Sequence, residues 1–406
     1  MNKQVAFPRD KCLRSSWADV ADKPLRQRSA QIHVSWPACN SLSVALSWRP
    51  LKGIEPPMSN VMKSWRARLH KQQQETWDAI RTHGEGRRSH LSERATYIHE
   101  DAIRWLAALP EKSIHAVVTD PPYGLVEYDE KDHRKLRTGR GGVWRIPPAF
   151  DGAKRQPLPR FTVLSPQEID SLCDFFGTLA ESLSRTLVPG GHIFIASNPL
   201  LSSMTFHAMQ RAGLEKRGEV IRLVQTLRGG DRPKGAELEF DGVSMMARSC
   251  WEPWGIFRKP LEGTAAENLR KWGTGGLRRI STDEPFKDVI TCSPTRGLER
   301  KIAPHPSLKP QRFLRQVVRA ALPLELGIVY DPFAGSGSTL AAAEALGYRS
   351  VGTERDGQYF TLGCQAFAGL RDIAVTSSEP GAPLSPRRVR ELSCDWHGPR
   401  SRDRRR

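Results

Sequence analysis

The sequence predicts an α/β fold built on a mostly parallel sheet. Short apolar segments of strand length alternate with amphipathic segments of helix length, both before residue 215 and after residue 310. Two of the apolar segments run directly into loops rich in Pro or Gly, at 119–124 and 331–339. Open α/β sheets bind ligands at the carboxyl ends of their strands, so these two loops are the candidate functional segments.

The predicted elements follow from hydrophobic periodicity and from the positions of Pro and Gly. A polar helical pattern runs from Met58 to about Arg88, followed by strands at 97–99, 114–118 and 192–196 and helices at 102–108, 166–187 and 200–211. After residue 310 the sequence predicts helices at 311–321, 338–346 and 359–370 and strands at 328–330 and 350–352. Pro189-Gly190-Gly191 is expected to end the helix that begins at Pro166, because Pro cannot continue a helix.

The first loop, Thr119-Asp120-Pro121-Pro122-Tyr123-Gly124, has the parts of an amine-binding site. Each Pro fixes its own φ and keeps the residue before it out of the α region, so the strand must stop there in a rigid loop. The Asp120 carboxylate and the Pro121 carbonyl can each accept an N–H, while the Tyr123 ring can stack on the base that carries the amino group. An ordinary Pro-rich turn is the competing interpretation, because short motifs recur by chance.

The second loop, Asp331-Pro332-Phe333-Ala334-Gly335-Ser336-Gly337, has the parts of a nucleoside site. Gly335 and Gly337 allow a tight turn and a close backbone approach, and Glu354 follows the next strand, where it can accept from both ribose hydroxyls. No Lys follows Gly337, and Asp331 would repel a pyrophosphate, so a phosphate loop is not indicated. S-adenosylmethionine fits, with its adenosine beside Glu354 and Phe333 and its sulfonium near Asp331. A packed Ala/Gly turn is the alternative.

The charge balance favours a polyanionic partner. The formal net charge is +18, of which residues 1–57 contribute +5 and residues 371–406 contribute +4, leaving +9 for residues 58–370. The excess is therefore not confined to the ends of the chain. Such an excess is typical of proteins that bind nucleic acid or an anionic membrane surface, although charge that only keeps the protein in solution competes with this interpretation.

The organisation of the chain is predicted as one main domain, 58–370, between two basic and disordered segments. Residues 1–57 show no sustained period and are interpreted as a disordered extension, or as sequence upstream of a start at Met58 or Met62. Residues 371–406 form a basic tail. Within the domain, 124–162 is a basic insert, either a mobile cover over the substrate or a solvated loop, and 220–300 interleaves basic and aromatic residues as nucleic-acid-binding segments do. For 220–300, an insertion whose tryptophans are core residues is the alternative.

Cysteine usage and hydropathy indicate an intracellular protein. No C-x-x-C pair and no Cys/His cluster at zinc spacing is found, so reduced thiols and no metal site are expected. The seven cysteines are Cys12, Cys39, Cys173, Cys250, Cys292, Cys364 and Cys394. No apolar run approaches the roughly 18 residues of a membrane span. We therefore expect a cytoplasmic protein without a membrane partner, and, if it binds DNA, one associated with the nucleoid.

The two motifs in this order resemble those of the β group of DNA amino-methyltransferases. The segment Tyr97–Asp101 and the helix after it are similar to the family's lead-in to Asp-Pro-Pro-Tyr, and residues 305–310, His-Pro-Ser-Leu-Lys-Pro, are similar to its His-Pro-x-x-Lys-Pro segment. The resemblance covers about residues 96–370. It departs at Ser338-Thr339, where Thr-Thr is commoner, and in the length of the 124–162 insert, which leaves the docking of DNA open.

The resemblance implies a seven-stranded, mostly parallel sheet with helices on both faces, and a cofactor half encoded after the catalytic half. It implies transfer of a methyl group from S-adenosylmethionine to an exocyclic amino group of a flipped base in double-stranded DNA. At the reacting amine we expect Asp120, Pro121, Pro122 and Tyr123. At the cofactor we expect Asp331, Phe333, Gly335, Gly337, Glu354, Ser307, Lys309 and Asp101. In contact with DNA we expect Arg137, Arg140, Arg228, Arg232, Lys234, Trp272, Arg278 and Arg279.

Several alternatives stay open from the sequence. Asp120 favours adenine N6 as the methyl acceptor, with cytosine N4 as the alternative, because the family tends to have Ser there for cytosine. An RNA or protein amide methyltransferase and a non-catalytic DNA-binding module are more distant alternatives. Asp101 also suits the N-cap of helix 102–108. A second copy of the chain, as a homodimer, and a cognate nuclease stay open as further partners.

Overall fold

The computed structural model describes residues 60–375 apart from 84–86, 123–165 and a few short breaks. The short breaks are 229–232, 234, 237, 246, 248, 293–294, 296 and 306. The predicted N-terminal extension, the whole of the basic insert at 124–162 and the tail beyond residue 375 therefore lie outside the described residues. No helix in the described ranges is long and apolar enough to cross a membrane.

Nine strands in the described part of the chain form one mixed sheet. They are β1 Arg87–His90, β2 Ala95–His99, β3 Ile114–Thr119, β4 Leu187–Ala196, β5 Glu215–Arg228, β6 Ser249–Arg258, β7 Val289–Thr291, β8 Ile328–Asp331 and β9 Arg349–Glu354. Their spatial order is β1-β2-β9-β8-β3-β4-β6-β5-β7. Seven of them share one direction, and β1 and β6 run opposite to their neighbours. The prediction of an α/β fold with a mostly parallel sheet is confirmed, with two strands more than the seven expected.

Helices cover both faces of this sheet. In the described ranges they are α1 Asn60–Thr82, α2 Ala102–Ala108, α3 Pro166–Thr186, α4 Ser202–Arg211, α5 Ala265–Trp272, α6 Leu298–Ile302, α7 Gln311–Ala321, α8 Ser338–Ala345 and α9 Gly357–Arg371. Strand β3 shows how the faces divide, because successive side chains point to opposite sides. Val117 packs in the cluster that contains α1 to α4, whereas Ala116 and Val118 pack in the cluster that contains α7 and part of α8.

The core is therefore a three-layer arrangement, and it fixes the central strands firmly. Trp77, Trp105 and Phe176 lie on one face and are at most 2% exposed, while Phe313 on the other face is 0% exposed. Each large apolar side chain buried in this way contributes about 1.5–3 kcal/mol relative to its exposure to water. Loops at the ends of such strands are held in place by the strands themselves.

Strand β4 begins five residues earlier than the sequence predicts. Pro189, Gly190 and Gly191 lie inside it, not in a loop after helix α3. Gly190 has φ +75°, and its N–H donates to the carbonyl of Lys259 at 3.0 Å. A Cβ at Gly190 would lie 2.4 Å from Asn268 Nδ2, so only glycine fits here. Pro189, Gly190 and Gly191 are tolerated within a strand because residues that follow β6, among them Lys259 and Asn268, pack against them.

Residues 220–300 interrupt the predicted alternation but do not leave the sheet. Strands β5 and β6 form an antiparallel hairpin beside β4, and β7 pairs with β5. Trp254 and Phe257, two aromatic residues of the basic and aromatic pattern at 220–300, are 0% exposed in the core. The alternative interpretation, core tryptophans, is therefore correct for Trp254. The described part of this region mainly widens the sheet.

Candidate active site

The two sequence motifs meet because β3 and β8 are adjacent parallel strands. Ala116 lies opposite Val329, and Val117 lies opposite Tyr330, so the strands end side by side. The Thr119 hydroxyl at the end of β3 donates to Asp331 Oδ1 at the end of β8, over 2.7 Å. A hydrogen bond between residues 212 positions apart therefore joins the Asp-Pro-Pro loop to the glycine loop.

The Asp-Pro-Pro loop presents one carboxylate at this junction. Asp120 follows β3 directly, Pro121 is buried and Pro122 is partly buried. The Asp120 side chain is 15% exposed, and its Oδ2 lies 2.5 Å from Lys309 Nζ. Two successive prolines restrict the backbone on the far side of Asp120, so its orientation is set by the strand and by this ion pair. Tyr123 lies outside the described residues.

The glycine loop is held by acceptors on both sides. Gly335 and Gly337 have φ +52° and +73°, the left-handed region that favours glycine. Gly335 N–H donates to Glu354 Oε2 at 3.0 Å, and the Gly335 carbonyl accepts from the Tyr97 hydroxyl at 2.5 Å. Asp331 Oδ1 accepts from the Phe333 N–H at 3.1 Å. The loop is thus shaped by side chains of β2, β8 and β9.

Both carboxylates at this loop are harder to ionise than usual. Burial raises the pKa of Asp331 to about 6, even though hydrogen bonds from Thr339, Thr119 and Phe333 favour its ionised form. Burial also raises the pKa of Glu354, against the opposing effect of the Asp356 and Gly335 N–H groups. Carboxylates in a low-dielectric pocket interact strongly with a cation, because water does not screen them.

Residues 305–309 connect the two loops. The ring of His305 lies over Gly335, where an added Cβ would be 3.1 Å from Nε2, and burial lowers the pKa of His305 to about 4. Its Nδ1 accepts from the Ser307 N–H at 3.2 Å. Lys309 is only 9% exposed. We expected Ser307 and Lys309 at the cofactor, but the Lys309 ammonium lies between two carboxylates of the protein itself.

The second of those carboxylates belongs to Glu252, which the sequence reasoning missed. Glu252 Oε1 lies 3.4 Å from Lys309 Nζ, and Oε2 accepts from Arg222 Nη1 at 3.0 Å. Glu252 lies on β6 and Arg222 on β5, directly opposite each other. A single acid between Trp251 and Trp254 was the available signal, because a charge in an apolar strand needs a partner.

Two further predicted cofactor residues have local structural roles. Asp101 Oδ1 accepts from the Ile103 and Arg104 N–H groups, so it is the N-cap of α2, as the alternative interpretation held. The Phe333 ring packs 6.0 Å from that of Phe175 at the rim of the core. Both lie at the carboxyl ends of strands, at the same edge of the sheet as Asp120.

Three of the residues expected to contact DNA lie at the opposite edge of the sheet. Arg278 binds the Tyr348 hydroxyl at 2.8 Å and pairs with Glu325, and these two residues precede β9 and β8. Arg279 donates to the Thr282 carbonyl, and Trp272 donates to Glu262. The structure therefore does not bring Trp272, Arg278 and Arg279 to the Asp120 loop.

The remaining DNA-contact candidates rest on the sequence pattern, and the structure gives the position of only one of them in the sheet. Arg228 ends β5 at the carboxyl edge of the sheet, the edge where Asp120 lies. The other four candidates lie outside the described residues. They are Arg137, Arg140, Arg232 and Lys234.

Comparison with known proteins finds similarity to DNA methyltransferases. Residues 251–365 match the family model described as DNA methylase. The chain is 24% identical over 288 residues to the type II methyltransferase M.HindIII of Haemophilus influenzae, covering 65% of this chain and 92% of that protein. It is 24% identical over 317 residues to the DNA adenine methyltransferase YhdJ of Escherichia coli, covering 74% and 91%.

A solved structure is also similar. It is TTHA0409 of Thermus thermophilus, a protein assigned to the DNA modification methylases, complexed with S-adenosyl-L-methionine, with a TM-score of 0.45 and 20% identity over 69% of this chain and 95% of that one. The family match includes Glu252, Lys309, the glycine loop and Glu354. Over residues 251–365 the chain thus matches the DNA methylase family, and over most of its length it is similar to DNA methyltransferases.

Proposed function

We propose that the protein is a site-specific DNA methyltransferase that transfers a methyl group to N6 of an adenine flipped out of the duplex. One observation carries the proposal: the hydrogen bond from Thr119 to Asp331. It joins the loop that presents Asp120 to the glycine loop, and this supports an amine acceptor and a nucleoside site at one edge of the sheet. That edge, at the carboxyl ends of the parallel strands, is where such folds bind their substrates.

The residues at the glycine loop suit S-adenosylmethionine. Gly335 and Gly337 have no side chains, so a ligand can approach the backbone closely. Glu354 is a carboxylate beside the turn and can accept hydrogen bonds from ribose hydroxyls. Asp331 is buried and offers a negative charge to a cation. Phe333 borders the same loop. When bound, this donor supplies a methyl carbon already activated by its positively charged sulfur.

Asp120 and the Pro121 carbonyl then act on the amine. The amino nitrogen of a base is a weak nucleophile because its lone pair is delocalised into the ring. Two acceptors placed on its two N–H groups draw it toward tetrahedral geometry and stabilise the positive charge that develops on it. In this proposal Asp120 also accepts the proton that the nitrogen loses. Most of the remaining acceleration comes from alignment, which the rigid Asp-Pro-Pro loop supplies.

Adenine is the proposed base for two reasons. The motif begins with Asp120, which in this family favours adenine, and the relative YhdJ is named a DNA adenine methyltransferase. Tyr123, which follows Pro122 in the sequence, is proposed to stack on the flipped base. Cytosine N4 is the alternative acceptor, because the same two hydrogen-bond acceptors suit either amine.

The proposal predicts that Asp120→Ala and Asp120→Asn lose methyl transfer but keep the donor site. Incorporation of a labelled methyl group into duplex DNA should fall by about 10²–10⁴-fold, as removal of a positioned acceptor does. The affinity for S-adenosylmethionine, measured by calorimetry, should change by less than about threefold, since Asp120 does not shape the glycine loop. Asp120→Asn keeps the size of the side chain, and a thermal melt checks that each variant folds. Full activity in either variant would refute the mechanism.

A further inference from the structure

Four charged side chains form a continuous row from the interior of the sheet to the reacting carboxylate. Arg222 binds Glu252 at 3.0 Å, Glu252 lies 3.4 Å from Lys309, and Lys309 lies 2.5 Å from Asp120. Their side chains are 5%, 16%, 10% and 15% exposed, in that order. Buried charges are retained only when they are paired, and breaking such a pair costs several kcal/mol. The row is therefore a fixed feature of the site.

Glu252 is the most rigidly held member of this row. Arg222 Nη1 donates to its Oε2, and Trp254 Nε1 donates to its Oε1 at 2.8 Å. Arg222 is itself packed over the Phe313 ring, 5.4 Å from the centroid. Burial alone would raise the pKa of Glu252, but Lys309 and Arg222 outweigh burial and hold it below the ordinary value. Glu252 thus stays ionised and oriented by two strands of the core.

Lys309, in contrast, has a long flexible side chain on a loop before α7. An ammonium of this kind is a mobile point charge unless acceptors fix it. Glu252 and Asp120 approach it from different strands, β6 and the end of β3. The contact with Glu252 therefore limits where Lys309 can place its charge, and through it the orientation of Asp120.

We propose that Glu252 is a positioning residue that acts through Lys309 to orient the Asp120 carboxylate for the amine. This role rests on the proposed function, because it concerns the same amine acceptor. It also gives Lys309 a task at the reacting carboxylate, where the sequence suggested the cofactor's carboxylate. The Arg222–Glu252 pair connects the hairpin of β5 and β6 to catalysis.

The chain offers a matched control on the same two strands. Glu215 on β5 lies opposite Arg258 on β6 and pairs with it at 2.5 Å, as Arg222 on β5 lies opposite Glu252. The Glu215–Arg258 pair lies near the amino end of β4, away from Lys309. Glu215→Gln removes a cross-strand charge from the hairpin without touching the row that ends at Asp120.

The first experiment separates catalysis from binding. Glu252→Gln should lower the single-turnover rate of methyl transfer by about 10- to 100-fold, the effect of a small misplacement of a catalytic group. The dissociation constants of S-adenosylmethionine and DNA should change by less than about threefold. Glu215→Gln should keep the wild-type rate, and Glu252→Asp, which keeps the charge, should recover part of it. A wild-type rate in Glu252→Gln would overturn the proposal.

A double-mutant cycle tests whether Glu252 acts through Lys309. In a Lys309→Met background, Glu252→Gln should cost no further rate, because the group it acts on is gone. If the two losses multiply, Glu252 has only a general structural role and the proposal is wrong. Thermal melts of all variants accompany the cycle.

A second readout does not depend on methyl transfer. Acetylation of lysines by an amine-reactive ester, followed by mass spectrometry, should label Lys309 slowly in the wild type and several-fold faster in Glu252→Gln, but not in Glu215→Gln. Equal labelling in all three proteins would show that Glu252 does not hold Lys309. A wild-type protein that methylates no DNA would refute the proposed function. The labelling experiment would still show whether Glu252 holds Lys309, because it does not depend on methyl transfer.

Discussion

At the scale of single residues, the hydrogen bond from Thr119 to Asp331 joins the two loops of the candidate site. The sequence indicated each loop separately, because strand, Pro and Gly signals are local. It could not indicate which strands are neighbours, since the residues are 212 positions apart. Lys309 is a related case: its motif was recognised, but only the fold shows that its ammonium contacts Asp120 and Glu252.

The raised pKa of Asp331 gives a pH-dependent prediction for the donor site. Because its pKa is about 6 in the folded protein, about half of the molecules carry a neutral Asp331 at pH 6. A cationic donor is attracted by the ionised form, so its affinity is full above this pKa and declines as the pH falls through it. From pH 7.5 to pH 5 the dissociation constant of S-adenosylmethionine should rise about tenfold.

Isothermal titration calorimetry across this range measures the effect. Asp331→Asn is the control: it should bind more weakly at pH 7.5 and lose the step near pH 6, because it has no proton to gain. Glu354, whose pKa burial also raises, leaves a smaller dependence in that variant. An identical pH profile in the wild type and in Asp331→Asn would contradict the role given to Asp331.

At the scale of elements, sequence periodicity located most of the α/β pattern and failed where tertiary contacts outweigh local preference. The helices at Ala102–Ala108 and Gln311–Ala321 were predicted with their observed bounds. Pro189 to Gly191 indicated a helix stop and a loop, yet they lie in β4, because Asn268 and the Lys259 carbonyl fill the space around them. The sequence does not predict strand β5, because its many charged residues interrupt the alternation of apolar and polar residues.

The placement of Arg278 changes the expectation for DNA binding. Its guanidinium binds Tyr348 and Glu325 at the amino ends of the strands, so Arg278→Ala should mainly destabilise the fold. We expect a loss of about 1 kcal/mol in urea unfolding, typical of a partly exposed charged hydrogen bond. The dependence of DNA affinity on salt should stay unchanged.

Arg228 is the comparison for this prediction. It ends β5 at the carboxyl edge, and the sequence predicts a DNA contact there. Arg228→Ala should reduce the slope of log affinity against log salt by about one phosphate contact. Fluorescence anisotropy with a duplex at several salt concentrations measures both variants. A reduced slope for Arg278→Ala would return that side chain to the DNA interface.

At the scale of the whole molecule, the chain order and the spatial order of the site differ. The Asp-Pro-Pro loop comes first, the hairpin of β5 and β6 follows, and the glycine loop comes last. In the sheet, β8 lies directly beside β3, and β4 lies between β3 and the hairpin of β5 and β6. Parallel strands therefore gather three distant segments at one edge. The basic excess of +9 in residues 58–370 suits a protein whose substrate is a polyanion.

The most direct test of the account is expression of the protein in a bacterial host that lacks DNA methylation, followed by identification of modified bases in its genomic DNA. We predict N6-methyladenine at one recurring sequence in cells that make the wild-type protein, and none in cells that make Asp120→Ala at the same level. N4-methylcytosine would contradict the choice of adenine. The absence of any methylated base with well-folded wild-type protein, or methylation by Asp120→Ala, would contradict the central claim that Asp120 presents a DNA amine for methyl transfer.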